Sequence, residues 1–495
     1  MCEAPGGCGG CAVGSAPGPP RRRPAPVRSQ PRPCVKCGEG AAAVVIRVGD
    51  GFCRACFREY FVHKFRAMLG KNRVIFPGEK VLLALSGGPA SSAMLRQVQE
   101  GLSRETAKRL RFVPGLVYID EGAVCGQSPA QREQNLAQME ALLQETGFPY
   151  YLASLEQALE LPGSVLRRGP GAAGEPCPSY KVAVEGFIQQ RRQEAADGDG
   201  ETSPTGLSTQ HGPGGDLAAP CARLPDATLT AELLRLFEAV ETLTAKEELL
   251  QMLRSHLILH TARTRGYTKV MTGESCTRVA VKLLTNLALG RGAFLAVDTG
   301  FVDSRHGDVT LVRPMREYMA KEIAFYNHFF GVPTVITPPL STKLCALRSL
   351  PQRREKTSIH RLMESFLLGL QVDFPSTIST VYRTGEKLSA APAEAGSELQ
   401  RCLLCLCALD IAGEEELALE PTLVTEETGN GPESRAAFIP LLCYGCRLTF
   451  KEMGSPATLP PYMRAEAQHR SCRARMKEQI QEFLLEDDEE EPGAS

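Results

Sequence analysis

The stretch Lys80–Leu95, KVLLALSGGPASSAML, constrains the fold of this chain more than any other. Val81–Leu85 is a short continuous apolar run, the pattern of a strand buried on both faces of a parallel sheet. It stops at Ser86-Gly87-Gly88, and a helical pattern follows, with Leu95, Val98 and Leu102 at helical spacing. Paired glycines permit a tight turn and close backbone approach to a ligand. A helix starting there aims unpaired amides and the positive end of its dipole at the turn, so the expected ligand is an anion, most often phosphate. The turn is neither a Walker A loop, which needs Gly-Lys-Ser/Thr, nor G-x-G-x-x-G. A plain strand–turn–helix junction with serine caps also explains many Ser-Gly-Gly sequences, so the neighbouring segments must decide.

Those neighbours alternate strand and helix. Arg111–Asp120 is a second apolar strand ending in Asp120-Glu121-Gly122, Ala130–Thr146 is a helix, and Phe148–Leu152 is a third strand. The alternation predicts βαβ units and a parallel sheet, with ligands outside the carboxyl ends of the strands, where Ser86–Ser92 and Asp120 meet. An exposed strand-end carboxylate without a ligand is an equal reading of Asp120. The pattern fails from Leu161 to about Leu224, apart from a short helical stretch at Lys181–Glu194. Residues 195–225 read as a disordered Gly/Ser/Thr/Pro/Asp insertion. It resumes with a helix at Thr244–Arg265, a strand at Thr268–Thr272, Gly273 opening the next helix, and a strand, an Arg313-Pro314 break and a helix over Asp308–Gly331. The predicted layout is a disordered tail at 1–33, a cysteine module at 34–76, an α/β domain at 77–385, a second cysteine module with a basic helix at 398–483, and an acidic tail at 484–495.

Eighteen cysteines, several in C-x-x-C pairs, suit metal binding in a reducing compartment. Cys34-x-x-Cys37 and Cys53-x-x-Cys56 stand fifteen residues apart, the spacing of two knuckles that close on one tetrahedral zinc. Cys402-x-x-Cys405 and Cys443-x-x-Cys446 repeat the pattern across a longer, 37-residue gap, with Cys407 as a spare or substitute ligand. Two zinc ions are therefore expected. Cys2, Cys8 and Cys11 are irregularly spaced and read as free thiols. His256 and His260 lie at i and i+4 but lack the acid of H-E-x-x-H, so packed or exposed histidines are expected.

A net charge of −1 gives no overall attraction for polyanions, so any RNA contact must come from local patches. Arg353, Arg354 and Lys356 form one, and Arg470, Arg473, Arg475 and Lys477 on the last helix form another. Nothing approaches the ~20 apolar residues of a membrane helix. The N-terminal Gly and Pro residues do not read as a secretion signal, so the cytoplasm is expected.

The turn residues Ser86, Gly87, Gly88 and Ser91 resemble the PP-loop, SGGxDS, of ATP pyrophosphatases, which split ATP to AMP and pyrophosphate while adenylating a substrate. Ala90 stands where that family has Asp. The strand leading into Gly273 and a long helix resembles the GHNxDD segment of tRNA-thiolating members, with Glu274–Arg278 in place of the His, Asn and Asp residues. Arg313-Pro314 resembles their Arg-Pro segment on the tRNA side of the active site. From Cys34 to Cys446, the order of these pieces resembles the cytoplasmic tRNA 2-thiolation protein 2 family. The resemblance implies a PP-loop α/β fold, adenine nucleotide alpha hydrolase-like, with helices on both faces. It also implies degenerate nucleotide-binding residues Ser86, Gly87, Gly88, Ser91, Ser92, Asp120 and Gly273, and tRNA contact through Arg313. It further implies a heterodimer with a catalytic PP-loop subunit. That complex makes 2-thiouridine at the wobble position of Lys, Glu and Gln tRNAs, by adenylating the uridine C2 oxygen and using sulfur from a thiocarboxylated ubiquitin-related modifier.

Thiolation enzymes carry relay cysteines around the GHNxDD strand. Here Lys246–Arg263 and the segment after Gly290 have none, and Cys177 and Cys276 are misplaced. With Ala90 and the lost acids, ATP and magnesium binding by this chain are in question. No residue is assigned a catalytic role, and the expected part is a structural or RNA-positioning subunit. An independent ATP-dependent adenylating enzyme and a zinc-stabilised scaffold are the other two classes the sequence allows.

Overall fold

The computed structural model describes residues 32–46, 50–104, 109–167, 180–196, 224–336, 338, 340, 358–388, 401–409, 435–453 and 456–481. The expectations for residues 1–31, 197–223 and 484–495, and for Cys177, fall outside these. Two compact units separate at Arg58, Met1–Arg58 and Glu59–Ser495. In the first, β1 (Val44–Val45) and β2 (Gly51–Phe52), both between the cysteine pairs, pair antiparallel with Val44 opposite Phe52. Helix α1 (Arg54–Asn72) starts inside the second pair and continues past Arg58.

The second unit is built on β3 (Lys80–Leu85), α2 (Pro89–Leu102), β4 (Val113–Asp120), α3 (Pro129–Gln144) and β5 (Tyr150–Ser154). It continues through α4 (Tyr180–Ala196), α5 (Ala227–Glu238), α6 (Leu243–Thr264), β6 (Lys269–Thr272) and α7 (Cys276–Ala288). Then come α8 (Leu295–Thr299), β7 (Val302–Asp303), β8 (Thr310–Val312) and α9 (Ala320–Phe330). The sheet order is β5-β4-β3-β6-β8-β7, with every pair parallel except β7–β8. The parallel core expected beneath Ser86 is present, and the two-residue β7 turns the far edge antiparallel. Order reverses at β3, which pairs with β4 on one side and β6 on the other, so the switch-point crevice opens beside the glycine turn.

Strand alternation explains the two layers. Leu82, Val117, Ile119 and Val270 join an apolar cluster with Leu236 and Phe237 of α5 and Leu249, Leu253 and Leu257 of α6. Val81, Leu83 and Leu85 point the other way and are also buried, on the side where α2 packs on β3 and α3 on β4. Local signals set the helix starts. Ser128 and Gln131 form a capping box on α3, Thr242 accepts the Ala245 amide at α6, and Ser275 accepts the Arg278 amide at α7.

Helices α10 (Ile359–Asp373) and α11 (Thr377–Glu386) pack on α7, and α12 (Arg435–Phe438), α13 (Tyr444–Lys451) and α14 (Pro461–Gln481) follow. Leu403, Leu406, Leu441, Phe450 and Met463 belong to the same apolar cluster as α6 and the sheet. The second cysteine region, which the sequence sets apart as its own module, is thus fused into the helical layer. Among the described residues, no helix is long and apolar enough to cross a membrane.

Candidate functional site: a covered glycine turn and two thiolate clusters

The turn after β3 is shaped by its two glycines. Gly87 takes φ +73°, a left-handed conformation that suits glycine, and Gly88 caps α2 through its backbone. Its hydroxyls face inward. Ser91 Oγ donates to Gly88 O at 3.0 Å and accepts the Ser86 amide at 3.3 Å, and Ser92 Oγ donates to Gly87 O at 3.3 Å.

Two backbone segments cover this turn. The Val335 amide donates to Gly87 O at 2.9 Å, and a Cβ added at Gly87 would lie 2.6 Å from Val335 O and 2.7 Å from Met139 Cε. A Cβ at Gly273 would lie 2.7 Å from the Ser91 amide nitrogen. Gly273 therefore serves close packing of the β6 end against the first turn of α2, across the switch-point crevice. A cavity of about 290 Å³ lies alongside, lined by Leu85, Ser92, Leu95, Met139, Leu143 and Val332 among others; neither Asp120 nor Gly273 lines it.

The acids at the carboxyl edge are all engaged internally. Asp120, 1% exposed, accepts from Arg132 Nε at 2.7 Å and from the Gly122 amide at 3.0 Å, and Arg132 also pairs with Glu156 at 2.8 Å. Asp120, for which a ligand contact and an exposed strand-end carboxylate are equal readings of the sequence, sits in a buried ion pair. Glu121 receives both prongs of Arg254. Burial alone would raise the Glu274 carboxyl; Lys282 and Arg313 overcome it and hold it at about 2. The Ser154 and Thr272 hydroxyls, at the ends of β5 and β6, are buried without a hydrogen-bond partner.

The residues expected to meet tRNA divide. Arg313 is 2% exposed and donates to Glu274 at 2.8 Å, Gly300 O at 3.0 Å and Asp303 at 3.3 Å, so it braces the sheet edge instead of facing RNA. Arg470, also 2% exposed, pairs with Glu466 at 3.0 Å and donates to Arg401 O and Leu166 O, which removes it from the surface too. Arg473 and Arg475 are exposed on α14. Arg353, Arg354 and Lys356, and the side chain of Lys477, lie outside the described residues.

All eight cysteines of the four C-x-x-C pairs assemble as expected. The sulfurs of Cys34, Cys37, Cys53 and Cys56 lie within 4.8 Å of one another, as do those of Cys402, Cys405, Cys443 and Cys446. Tetrahedral zinc with bonds of about 2.3 Å separates its sulfurs by roughly 3.8 Å. Cys37 and Cys53 stand 3.9 Å apart and Cys405 and Cys443 3.6 Å, so both sets fit that ion. The backbone amides of Cys37 and Cys53 hold the Cys34 thiol down to about 6, whereas the Cys53 thiol pushes Cys56 up to about 12. Cys407 is outside the second set, its sulfur 2.9 Å from Arg305 Nη1.

His256 is a packed histidine. A carbonyl cannot donate, so Nε2–H donates to Leu404 O at 3.0 Å and Nδ1 accepts from Tyr462 Oη at 2.8 Å. Burial lowers its imidazole to about 4. The sequence reading missed the roles of Glu248, Arg291 and Arg305; polar residues interrupting the apolar run of α6 were the one legible signal.

A family model described as Cytoplasmic tRNA 2-thiolation protein 2 matches residues 358–448, from the cap of α10 into α13. Two curated relatives of that name align over nearly the whole chain. The one from Mus musculus is 51% identical over 96% of this chain and 98% of its own. The one from Homo sapiens is 49% identical over 98% and 100%. Among solved structures, a U34-tRNA thiolase from Methanococcus maripaludis with its 4Fe–4S cluster aligns at a TM-score of 0.44 and 14% identity, covering 74% of this chain and 92% of its own.

Proposed function

The chain belongs to the cytoplasmic tRNA 2-thiolation protein 2 family, and from that premise we propose that it is the supporting subunit of a cytoplasmic tRNA-thiolating complex. A catalytic PP-loop partner activates the wobble uridine of Lys, Glu and Gln tRNAs with ATP. Sulfur arrives from a thiocarboxylated ubiquitin-related modifier and replaces the C2 oxygen. This chain scaffolds the partner and positions RNA.

The observation that carries the reading is the covered turn. With Gly87 O bonded to the Val335 amide and Gly273 against Ser91, two of the chain's own segments are packed onto the turn, and the cavity beside it, which Gly87 and Ser92 help line, reaches neither Asp120 nor Gly273. Asp120, Glu121 and Glu274 are paired with Arg132, Arg254 and Arg313, so a magnesium ion would have to displace an arginine at each of these acids. Cys276 is 2% exposed, and burial pushes its thiol up to about 12, which makes it a poor sulfur carrier. Zinc at each four-cysteine cluster supplies a structural crosslink.

Helix α10 supports a partner-binding role. Leu362, Phe366, Leu368 and Val372 are 43–73% exposed, an unusual number of large apolar groups on one helix of a soluble domain. The start of the helix is tied to Leu340, whose carbonyl accepts from Arg361.

The test is nucleoside analysis of tRNA from cells lacking the chain, with mass spectrometry of what co-purifies with it. Loss of wobble 2-thiouridine is expected, with restoration by the wild type and by Cys276→Ser. Phe366→Asp is expected to lose the co-purifying subunit and restore little. Full 2-thiouridine without the chain overturns the proposal, as does conversion of ATP to AMP by the chain alone.

A further inference from the structure

The second thiolate cluster is surrounded by an outer ring of side chains that belongs to neither the turn nor the ligand set. Three consecutive carbonyls of the loop holding Cys402 and Cys405 are each gripped by a different donor. Leu404 O accepts from His256 Nε2 at 3.0 Å, Cys405 O from Arg305 Nη1 at 3.5 Å, and Leu406 O from Arg401 Nη2. These donors are themselves anchored. His256 is held by Tyr462, and Arg305 by Asp303 at 2.9 and 2.7 Å. The loop contains Leu406 at φ +61°, a conformation a leucine keeps only where its surroundings impose it.

The other half of the cluster interlocks with the end of α7. A Cβ at Gly445, between Cys443 and Cys446, would lie 2.5 Å from Arg291 Cγ and Nε, so the arginine stem lies directly on the knuckle backbone. The Tyr444 ring lies in turn on Gly290, where an added Cβ would stand 2.5 Å from its edge. Arg291 is paired with Glu248, and the pairing continues outward. Glu248 faces His360 at 2.9 Å, His360 faces Glu247 at 3.3 Å, and Glu247 faces Arg361 at 3.5 Å. With His360 protonated, this alternating line of three cations and two anions leaves one positive charge over, and its inner end is Arg291.

A divalent cation held by four thiolates carries a net charge of −2. Burying that charge is costly unless counter-charge and hydrogen bonds surround it. Resting on the reading of this cluster as a zinc site, we propose that Arg291 and Arg305 are positioning residues for it. Arg291 on the Gly445 backbone and Arg305 on the Cys405 carbonyl hold the two knuckles in register. Arg305 is itself balanced by Asp298 and Asp303, so the charge of the loaded centre is offset by the surplus cation of the line that Arg291 heads, and this site grips its ion through the folded body of the protein. Cys402, Cys443 and Cys446 are buried, which adds to retention, whereas Cys37 of the first cluster is exposed.

The experiment uses the full-length chain with Cys34→Ser and Cys37→Ser, so that zinc reports the second site alone. Protein loaded with zinc is dialysed against graded EDTA; metal is counted by elemental analysis and helix content by circular dichroism. Arg291→Gln is expected to lower the EDTA concentration that half-empties the site at least tenfold, and Arg291→Lys to recover part of the loss. Cobalt(II) substituted at the site is expected to show a shifted thiolate charge-transfer band in Arg291→Gln. Arg254→Gln, which breaks an ion pair elsewhere on α6, is the control and is expected to leave retention unchanged. Equal retention in Arg291→Gln and its parent overturns the positioning role while leaving the zinc reading intact. Equal loss in Arg254→Gln also overturns it, because a loosened fold then explains the effect. No zinc in the parent overturns the zinc reading itself.

Discussion

His360 Nε2 lies 2.9 Å from Glu248 Oε1, and the two groups fix each other's charge across the junction of α6 and α10. Burial alone would lower the His360 imidazole, but Glu247 and Glu248 outweigh it and raise the group to about 9. Glu248 goes the other way, held at about 2 by Arg291 and His360 against its burial.

The sign of the pH dependence follows. A histidine raised in the folded state contributes stability that is full below its ordinary value near 6.5 and is lost as pH climbs through about 9. The contribution is on the order of 2 kcal/mol after allowing for partial exposure. Wild-type Tm is expected to fall between pH 6.5 and 9, with His360→Gln starting lower and showing a flatter profile over that window. Differential scanning calorimetry at fixed ionic strength checks this; parallel profiles would contradict it.

Gly87 and Gly273 make a second prediction, in which packing is the cause and ligand binding is not. Gly87→Ala meets both a left-handed φ and the Val335 carbonyl, and Gly273→Ala meets the backbone of Ser91. Each is expected to cost about 1–3 kcal/mol in urea unfolding. Adding ATP is expected to shift neither midpoint. A large ATP-dependent shift in the wild type would mean that the turn still takes a nucleotide.

What the sequence made legible was whatever has a local cause. The β3 run, the Gly87 turn, the strand ending at Asp120, the α6 and α7 helices and both four-cysteine sets follow from apolar period and cysteine spacing. What it hid was non-local. Nothing near Asp120 announces Arg132, twelve positions on, still less the Thr230 hydroxyl that donates to Glu156 at 3.0 Å. Val335 covers Gly87 from a segment 248 positions away along the chain. Short elements without a period of their own, β7 above all, also escaped. Arg470 looked basic because its neighbours are basic; only the fold places Glu466, Arg401 O and Leu166 O around it.

Each four-cysteine set is expected to hold one zinc, two per chain. Cys37→Ser and Cys446→Ser are each expected to lower the count by about one, and the double variant to leave close to none. Elemental analysis of protein purified without added metal decides between zinc and iron. A single ion lost in both variants would mean that only one cluster is loaded.

Arg470 and Arg475 stand five positions apart on α14, one buried and one exposed, and their substitutions are expected to fail in different assays. Arg470→Ala leaves Glu466, 0% exposed on its side chain, with Arg167 as its one ion-pair partner among the described residues. The expected loss is about 2–3 kcal/mol, because the buried carboxylate keeps one of its two arginines while the Arg401 and Leu166 carbonyls lose their donor. Arg473→Gln with Arg475→Gln touches exposed charge and is expected to change stability by less than about 0.5 kcal/mol. If α14 lies on RNA, that pair lowers tRNA affinity and reduces the slope of log affinity against log salt by roughly 1–2. Urea unfolding and filter-binding titrations at several salt concentrations separate the two effects. An unchanged salt slope in the exposed pair would take α14 off the RNA surface, and a well-folded Arg470→Ala would mean that its ion pair does not hold this layer together.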